Sequence, residues 1–470
     1  MLLSACGTRS SLTTPGVGTE CGPWSVRGGA AGASRSAGAR FAALDDGSVV
    51  LAMQDFSAGP GGGGSSSGGS LTHWVRKLDA DGDTAWDLVS GPFTLQINGA
   101  ARDAAGEVVV MGSMPSGERS ILGATLSCAA GVCAFLAKID EAGKLTWSKV
   151  ISAQGEVFTG LAPSDFAVTG DGRITIEGAF GGTVDFGCGP VTAVGAGYES
   201  RYLAQLSPEG ECLWSRAIIG TPRLINAPDD VAVDDAGEVA VVLPLETTLG
   251  AQTIDLGAGP VPFSTDPKEG PGFAVAKYAP NGDLVFGKVV IGKTSGYTAS
   301  IEQARIALTS AGEVILSSGY EGPIDFGGGP RGSLGTVRQF VTKLSAKGDE
   351  LWTRDLATGK LTETGVSAPF ALAVDAGGDI FLAHAGQHGL TILDEPKGKK
   401  TVVVAAYDAD GKPFDTLTFP FTERAAVSGI STSAEGALVL GGHFEGTLDF
   451  GQDPLVAPDE GDTFVARICR

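Results

Sequence analysis

Two short hairpin signatures alternate along the chain, and this repetition constrains the fold more than any other feature. The first is an apolar triplet, a polar turn ending in glycine, and a β-rich run. It reads Phe166-Ala-Val-Thr-Gly-Asp-Gly172, Val231-Ala-Val-Asp-Asp-Ala-Gly237 and Ile306-Ala-Leu-Thr-Ser-Ala-Gly312, with further copies ending at Gly47, Gly106, Gly378 and Gly436. The second is an alternating strand, a turn closed by glycine, and a strand carrying a large aromatic residue, as in Leu136-Ala-Lys-Ile-Asp-Glu-Ala-Gly143 followed by Trp147. Those aromatics are Trp24, Trp86, Trp147, Trp214, Phe286, Trp352 and Phe414, at intervals of 61 to 72 residues.

Each period therefore holds two hairpins, or four strands, which is the content of one propeller blade. The sequence predicts an all-β chain: a single seven-bladed β-propeller of four-stranded blades over residues 21–470, preceded by a flexible tether over residues 1–20. A large aromatic at a fixed place in each repeat is expected to pack between neighbouring sheets rather than to form a ligand cage. The seventh copy of the first hairpin begins at Ile430 and is followed by one more strand, while Cys21-Gly-Pro-Trp24-Ser-Val-Arg27 matches Cys212-Leu-Trp214-Ser-Arg216. The N-terminal segment is thus expected to supply the outer strand of the last blade, leaving no free sheet edge at the joint.

The same alignment places Cys469 and Cys21 where other repeats carry turn-flanking pairs such as Ser207 and Glu211. Residues facing each other across a hairpin approach within disulfide range, so a Cys21–Cys469 bridge is expected. It would close nearly the whole chain, and loop-closure entropy then contributes up to about 5 kcal/mol. Of the remaining cysteines, the short separations favour Cys128–Cys133 and Cys188–Cys212 among the three connectivities open to four residues. Three pairs fit an oxidising compartment.

Charge excludes some partners. Lys and Arg number 33 against 54 Asp and Glu, a net charge of −21. Nucleic acid as the main partner is therefore not expected, because binding it requires cations that displace counterions from phosphate. No apolar run reaches the roughly 18 residues of a membrane-spanning helix.

The segment Leu3-Ser4-Ala5-Cys6 resembles a bacterial lipobox. That likeness implies a signal peptide cut before a lipidated Cys6, hence a lipid anchor and an outer-membrane lipoprotein of the cell envelope. The units Gly181-Gly-Thr-Val-Asp-Phe-Gly187, Gly322-Pro-Ile-Asp-Phe-Gly327 and Gly446-Thr-Leu-Asp-Phe-Gly451 resemble the bacterial propeller repeats labelled SBBP, related to NHL repeats. The Gly-x-x-Leu-Trp ending is more distantly similar to quinoprotein-like propellers. These likenesses imply a secreted or envelope-anchored propeller.

Several motifs read as ordinary turns and strands. Asp79-Ala-Asp81-Gly-Asp83 and Asp408-Ala-Asp410-Gly411 fall at hairpin turns and lack the remaining ligands of a calcium loop. Gly287 to Thr294 matches a phosphate-binding loop in letters but overlaps a strand, with no helix to follow. His384 and His388 are placed in a loop after a strand at 380–383, and no metal role is assigned to them. The expected function is a non-catalytic binding or scaffold module, monomeric and without cofactor, contacting a protein or glycan at its loop-rich face. That face is expected to carry the variable segments 192–198, 261–272 and 334–338. The alternative is an envelope hydrolase or lyase using carboxylates at the channel mouth.

Overall fold

The computed structural model describes residues 24–27, 35–43, 47–57, 70–90, 96–155, 160–194, 200–221, 230–245, 252–264, 269–293, 304–333, 336–360, 371–386, 400–433, 436–457 and 461–469. These residues contain strands and turns and no helix. The tether, Cys6, Cys21 and His388 lie outside them, as do residues 195–198, 265–268 and 334–335 of the variable segments.

Five separate four-stranded antiparallel sheets are formed, with two further four-stranded meanders inside a ten-stranded sheet. We letter them in chain order. Sheet A comprises Arg35–Ala43, Val49–Ser57, Ser70–Leu78 and Thr84–Ser90. Sheet B comprises Gln96–Arg102, Val108–Ile121, Ala124–Ile139 and Leu145–Ile151, and sheet C comprises Gly160–Val168, Ile174–Gly181, Ser200–Leu206 and Cys212–Thr221. B and C count as one sheet because of a single parallel pairing, Gly160 with Val132. Sheet D holds Asp230–Val233, Val239–Leu245, Glu269–Tyr278 and Leu284–Lys293; sheet E holds Arg305–Leu308, Val314–Glu321, Thr336–Leu344 and Glu350–Lys360. Sheet F holds Ala371–Val374, Ile380–Gly386, Thr401–Tyr407 and Pro413–Pro420. Sheet G draws Arg424–Thr432, Leu438–Glu445 and Asp462–Ile468 from one end of the chain and Trp24–Arg27 from the other.

The sheets pack face to face. Their middle strands are accordingly buried on both sides, and some, such as Val239–Leu245, read as continuous apolar runs rather than alternating ones. Every residue of Val239–Leu245, Ser200–Leu206, Thr401–Tyr407 and Asp462–Ile468 is buried. Core clusters straddle neighbouring sheets: Val341 of E packs with Leu382 and Val403 of F, and Ala383 of F packs with Leu438 of G. The first strands touch in succession from A through to G, and the first strand of G touches that of A.

A second set of contacts runs along the outer strands. The aromatic of one sheet lies over the turn glycine of the next: Trp24 over Gly82, Trp86 over Gly143, Trp147 over Gly210, Trp214 over Gly282, Phe286 over Gly348 and Trp352 over Gly411. Trp86 Nε1 also donates to Glu141 O at 3.0 Å and Trp147 Nε1 to Pro208 O at 3.1 Å, fixing the register between sheets. Phe414 packs into the core cluster shared by sheets F and G.

Small hairpins inserted between second and third strands reach back to the preceding sheet. Thr183–Asp185 pairs with Ala153–Gln154, just beyond the outer strand of B, and Gln252–Asp255 pairs with the outer strand of C. Leu448 bridges to Phe421, just beyond the outer strand of F. Their tips share one device: Asp185 Oδ1 accepts from the amides of Gly187 and Gly189 at 2.7 and 3.0 Å, and Asp255 and Asp325 repeat it at the same distances. The middle copy, Ile254-Asp-Leu-Gly257, has leucine in place of phenylalanine and does not stand out in the sequence. Phe186, Leu256, Phe326 and Phe450 are the buried anchors of these hairpins.

Candidate functional site

A cavity of about 570 Å³ opens where the first strands of sheets A, B, C and G converge. Most of its wall is small: Ala42, Ala43, Gly99, Ala101, Ala104, Ala167 and Gly170 line it, with the hydroxyl residues Ser431 and Thr432. The first strand of each sheet is a sheet edge, apart from the single Gly160 bridge in C. Edge strands carry backbone donors and acceptors that their own sheet does not use.

Four charged side chains reach the cavity, and each is engaged with protein groups. Arg102 Nε donates to Ala43 O of sheet A, and its Nη1 donates to Asp103 O at 3.3 Å. Asp103 accepts from the amides of Ala105 and Glu107 and pairs with Lys138 Nζ at 3.2 Å. Burial works against the Lys138 charge, but Glu107 and Asp103 outweigh it and raise its pKa. Asp235 of sheet D accepts from the Gly170 amide of sheet C at 3.2 Å, and Ala104 N donates to Gly170 O at 2.9 Å. Asp165 Oδ2 accepts from Val231 N at 3.2 Å.

Behind Asp165 lies a charged cluster at the joint of sheets C, D and E. Asp230 Oδ2 accepts from Ile306 N at 2.7 Å, and Arg305 Nη1 stands 4.0 Å from Asp230 Oδ1. Burial, reinforced by the neighbouring Asp165, holds the Asp230 carboxyl well above the usual carboxylate range, with Arg305 opposing. Glu177 is fully buried opposite Asp165 across the first strand pair of C, with Arg201 Nη1 at 3.9 Å. None of these residues follows from a sequence motif. One signal was available: Asp165, Asp230 and Arg305 each stand seven residues ahead of a turn glycine, at a position that is Gly or Ala in three other copies.

The sequence-predicted residues fall elsewhere. Cys128–Cys133 lies within the third strand of B, linking two points of Ala124–Ile139, and Cys188–Cys212 ties the inserted hairpin of C to the outer strand of that sheet. Cys469 is disulfide-bonded and buried. Asp79 Oδ1 accepts from the amides of Asp81 and Asp83, so that acidic run is a turn; Asp408 does the same with Asp410 and Lys412. Residues 287–293 lie on the outer strand of D, which rules out a phosphate loop there. One expectation is corrected: His384 is not in a loop but inside Ile380–Gly386, buried and opposite Val403. The apolar run continues through it because that strand is covered on both faces. Among the described residues no group of His, Cys, Asp or Glu is arranged to hold a metal ion, and no helix is long and apolar enough to cross a membrane.

No family model and no curated protein matches the chain. Among solved structures, a protein of unknown function from Dyadobacter fermentans aligns at 8% identity, covering 94% of this chain and 97% of that one, with a TM-score of 0.39. YCF48 bound to a D1 peptide aligns at 9% identity over 97% and 98%, with a TM-score of 0.38. The microbial sialidase Hz136 aligns at 8% identity over 93% and 66%, also at 0.38. None of these likenesses defines a family for the chain.

Proposed function

We propose that the chain is a seven-bladed β-propeller, closed by its N-terminal strand, that serves as a non-catalytic binding module for neutral saccharides at the bacterial cell envelope. The ring reading is supported by the succession of first-strand contacts that returns from sheet G to sheet A. An extracytoplasmic location is supported by the cysteines: all five described are in disulfides, which persist in oxidising compartments. The tether and a lipidated Cys6 would then hold the monomeric ring at the membrane.

One observation carries the binding reading: each charged side chain in the cavity wall is committed to a protein group, Arg102, Asp165 and Asp235 across sheet joints and Asp103 within sheet B. A charged ligand would find no uncommitted counter-charge. What remains open is hydroxyl groups, edge backbone groups and small side chains, a surface of mixed donors and acceptors that suits a neutral polyhydroxylated ligand. A volume near 570 Å³ is within the usual range for small-molecule sites.

A second reading, a hydrolase, is favoured by Asp165 standing in the cavity wall beside Asp230. The two separate experimentally. Calorimetry against neutral, acidic and amino sugars should find binding of neutral ones, lost in Ala101→Leu, with no turnover. No binding to any sugar would overturn the saccharide reading, and turnover abolished by Asp165→Asn would establish the hydrolase instead.

A further inference from the structure

Asp165 and Asp230 occupy equivalent places on the first strands of sheets C and D, and each carboxyl holds the backbone of the next sheet. Asp165 accepts from Val231 N of D, and Asp230 accepts from Ile306 N of E. Burial, and after it the neighbouring Asp165 carboxyl, disfavours a charge on Asp230. Two neighbouring buried carboxylates repel, and a proton on one of them removes that repulsion and supplies a donor.

The surrounding charges make the same demand. Asp230 sits on a strand packed against the first and second strands of C, the first strand of E and the second strand of D. From these come Asp165 and Glu177 of C and Arg305 of E, while Val239–Leu245 of D brings no ionisable group. Arg201 faces Glu177. Three carboxyls stand against two guanidinium groups, and one proton makes the cluster neutral.

We infer that Asp165 and Asp230 share a single proton across the C–D joint, and that this proton keeps the wall of the cavity closed. The consequence for ligand binding rests on the cavity being the binding site, but the shared proton does not. Removing it leaves a buried net negative charge and two neighbouring carboxylates, which separates Asp165 from Val231 and opens the wall. Asp165 is 7% exposed and the Asp230 side chain 15%, so water screens this repulsion little. The wall is therefore tight in acid and loosens with rising pH as the pair gives up its last proton.

The test needs no ligand. In the wild-type protein labelled with ¹³C at aspartate carboxyls, one carboxyl should keep the chemical shift of a protonated acid at pH 7. That signal should vanish in Asp230→Asn. Amide exchange at Val231 and Ile306 should accelerate with pH beyond its intrinsic rise in the wild type, but not in Asp230→Asn, whose amide cannot ionise. If every aspartate carboxyl of the wild type is ionised at pH 7, the shared proton does not exist, whatever the cavity binds. If the proton is present but exchange at the two amides follows the intrinsic rise alone, it does not hold the wall.

Discussion

Trp24 and Arg467 come from opposite ends of the chain and donate to one acceptor, the carbonyl oxygen of Ala80. Trp24 Nε1 lies 2.8 Å from it and Arg467 Nη1 3.4 Å. The two residues are also directly opposite each other in the strand pair that joins Trp24–Arg27 to Asp462–Ile468. A turn of sheet A thus reads both termini of sheet G at once, and separating the termini would cost hydrogen bonds in two sheets.

That geometry bears on Cys469. Of the seven cysteines, four are paired as Cys128–Cys133 and Cys188–Cys212, and Cys469 is bonded to a residue outside the described ones. Within the chain that leaves Cys6 and Cys21. Since Trp24 is opposite Arg467, Cys21 precedes the pair by three residues and Cys469 follows it by two, so Cys21 is the expected partner. Peptide mapping without reduction should recover a Cys21–Cys469 peptide. Cys469→Ser should lower stability by up to about 5 kcal/mol in denaturant titration. Recovery of a Cys6–Cys469 peptide would show that the closing strand is not what aligns the bond.

The aromatic locks make a sharper prediction because two glycines separate backbone strain from packing. Gly259 has φ +96° with nothing within 4 Å of an added Cβ, whereas at Gly411, φ +72°, that carbon would lie 2.9 Å from the Trp352 ring. Gly259→Ala should cost about 1–2 kcal/mol, the penalty of a left-handed backbone alone. Gly411→Ala should cost a further 1–3 kcal/mol, roughly the range for overpacking. Equal losses in urea titration would mean that Trp352 moves aside freely.

These locks were legible in the sequence for a physical reason. A turn glycine with positive φ and the aromatic that covers it are both forced by local geometry, so they recur in register and reveal the four-stranded repeat. The Cys128–Cys133 and Cys188–Cys212 pairs were legible through short separation. The joint of C, D and E was not. Asp165, Asp230 and Arg305 interact only because successive repeats bring their first strands side by side, and nothing within one repeat marks them. His384 misled for the opposite reason: a histidine interrupts an apolar run on paper, yet a strand covered on both faces continues through it.

Lys277 tests the buried ion pairs. It is 1% exposed, and its Nζ lies 2.6 Å from Glu238 Oε2 and 2.7 Å from the Gly312 carbonyl of the next sheet. Lys277→Ala removes the cation and the packing of its stem, and should cost about 3–5 kcal/mol. Lys277→Met keeps the volume and should cost less, since Glu238 is part-exposed and can turn to water. A thermal melt in which the two variants are indistinguishable would mean that charge, not packing, accounts for the loss.

Acid stability should carry the mark of His73. The side chain is buried on the third strand of sheet A, and burial lowers its pKa from the ordinary 6.5. The folded state therefore prefers the neutral ring, while the unfolded chain takes up a proton at the ordinary value. Between those two values the unfolded state binds more protons, so stability falls as pH drops through 6.5 toward the lower folded value. Asp230 acts in the other direction, because a carboxyl with a raised pKa loses its stabilising contribution as pH rises above the unfolded value. The contribution of His73 can be isolated by subtracting the pH profile of His73→Gln, which cannot titrate, from that of the wild type. The wild type should be the more stable by a constant margin above pH 7, and that margin should shrink as the pH falls below 6.5. A margin that stays constant down to pH 4 would show that the buried ring is charged in the folded protein.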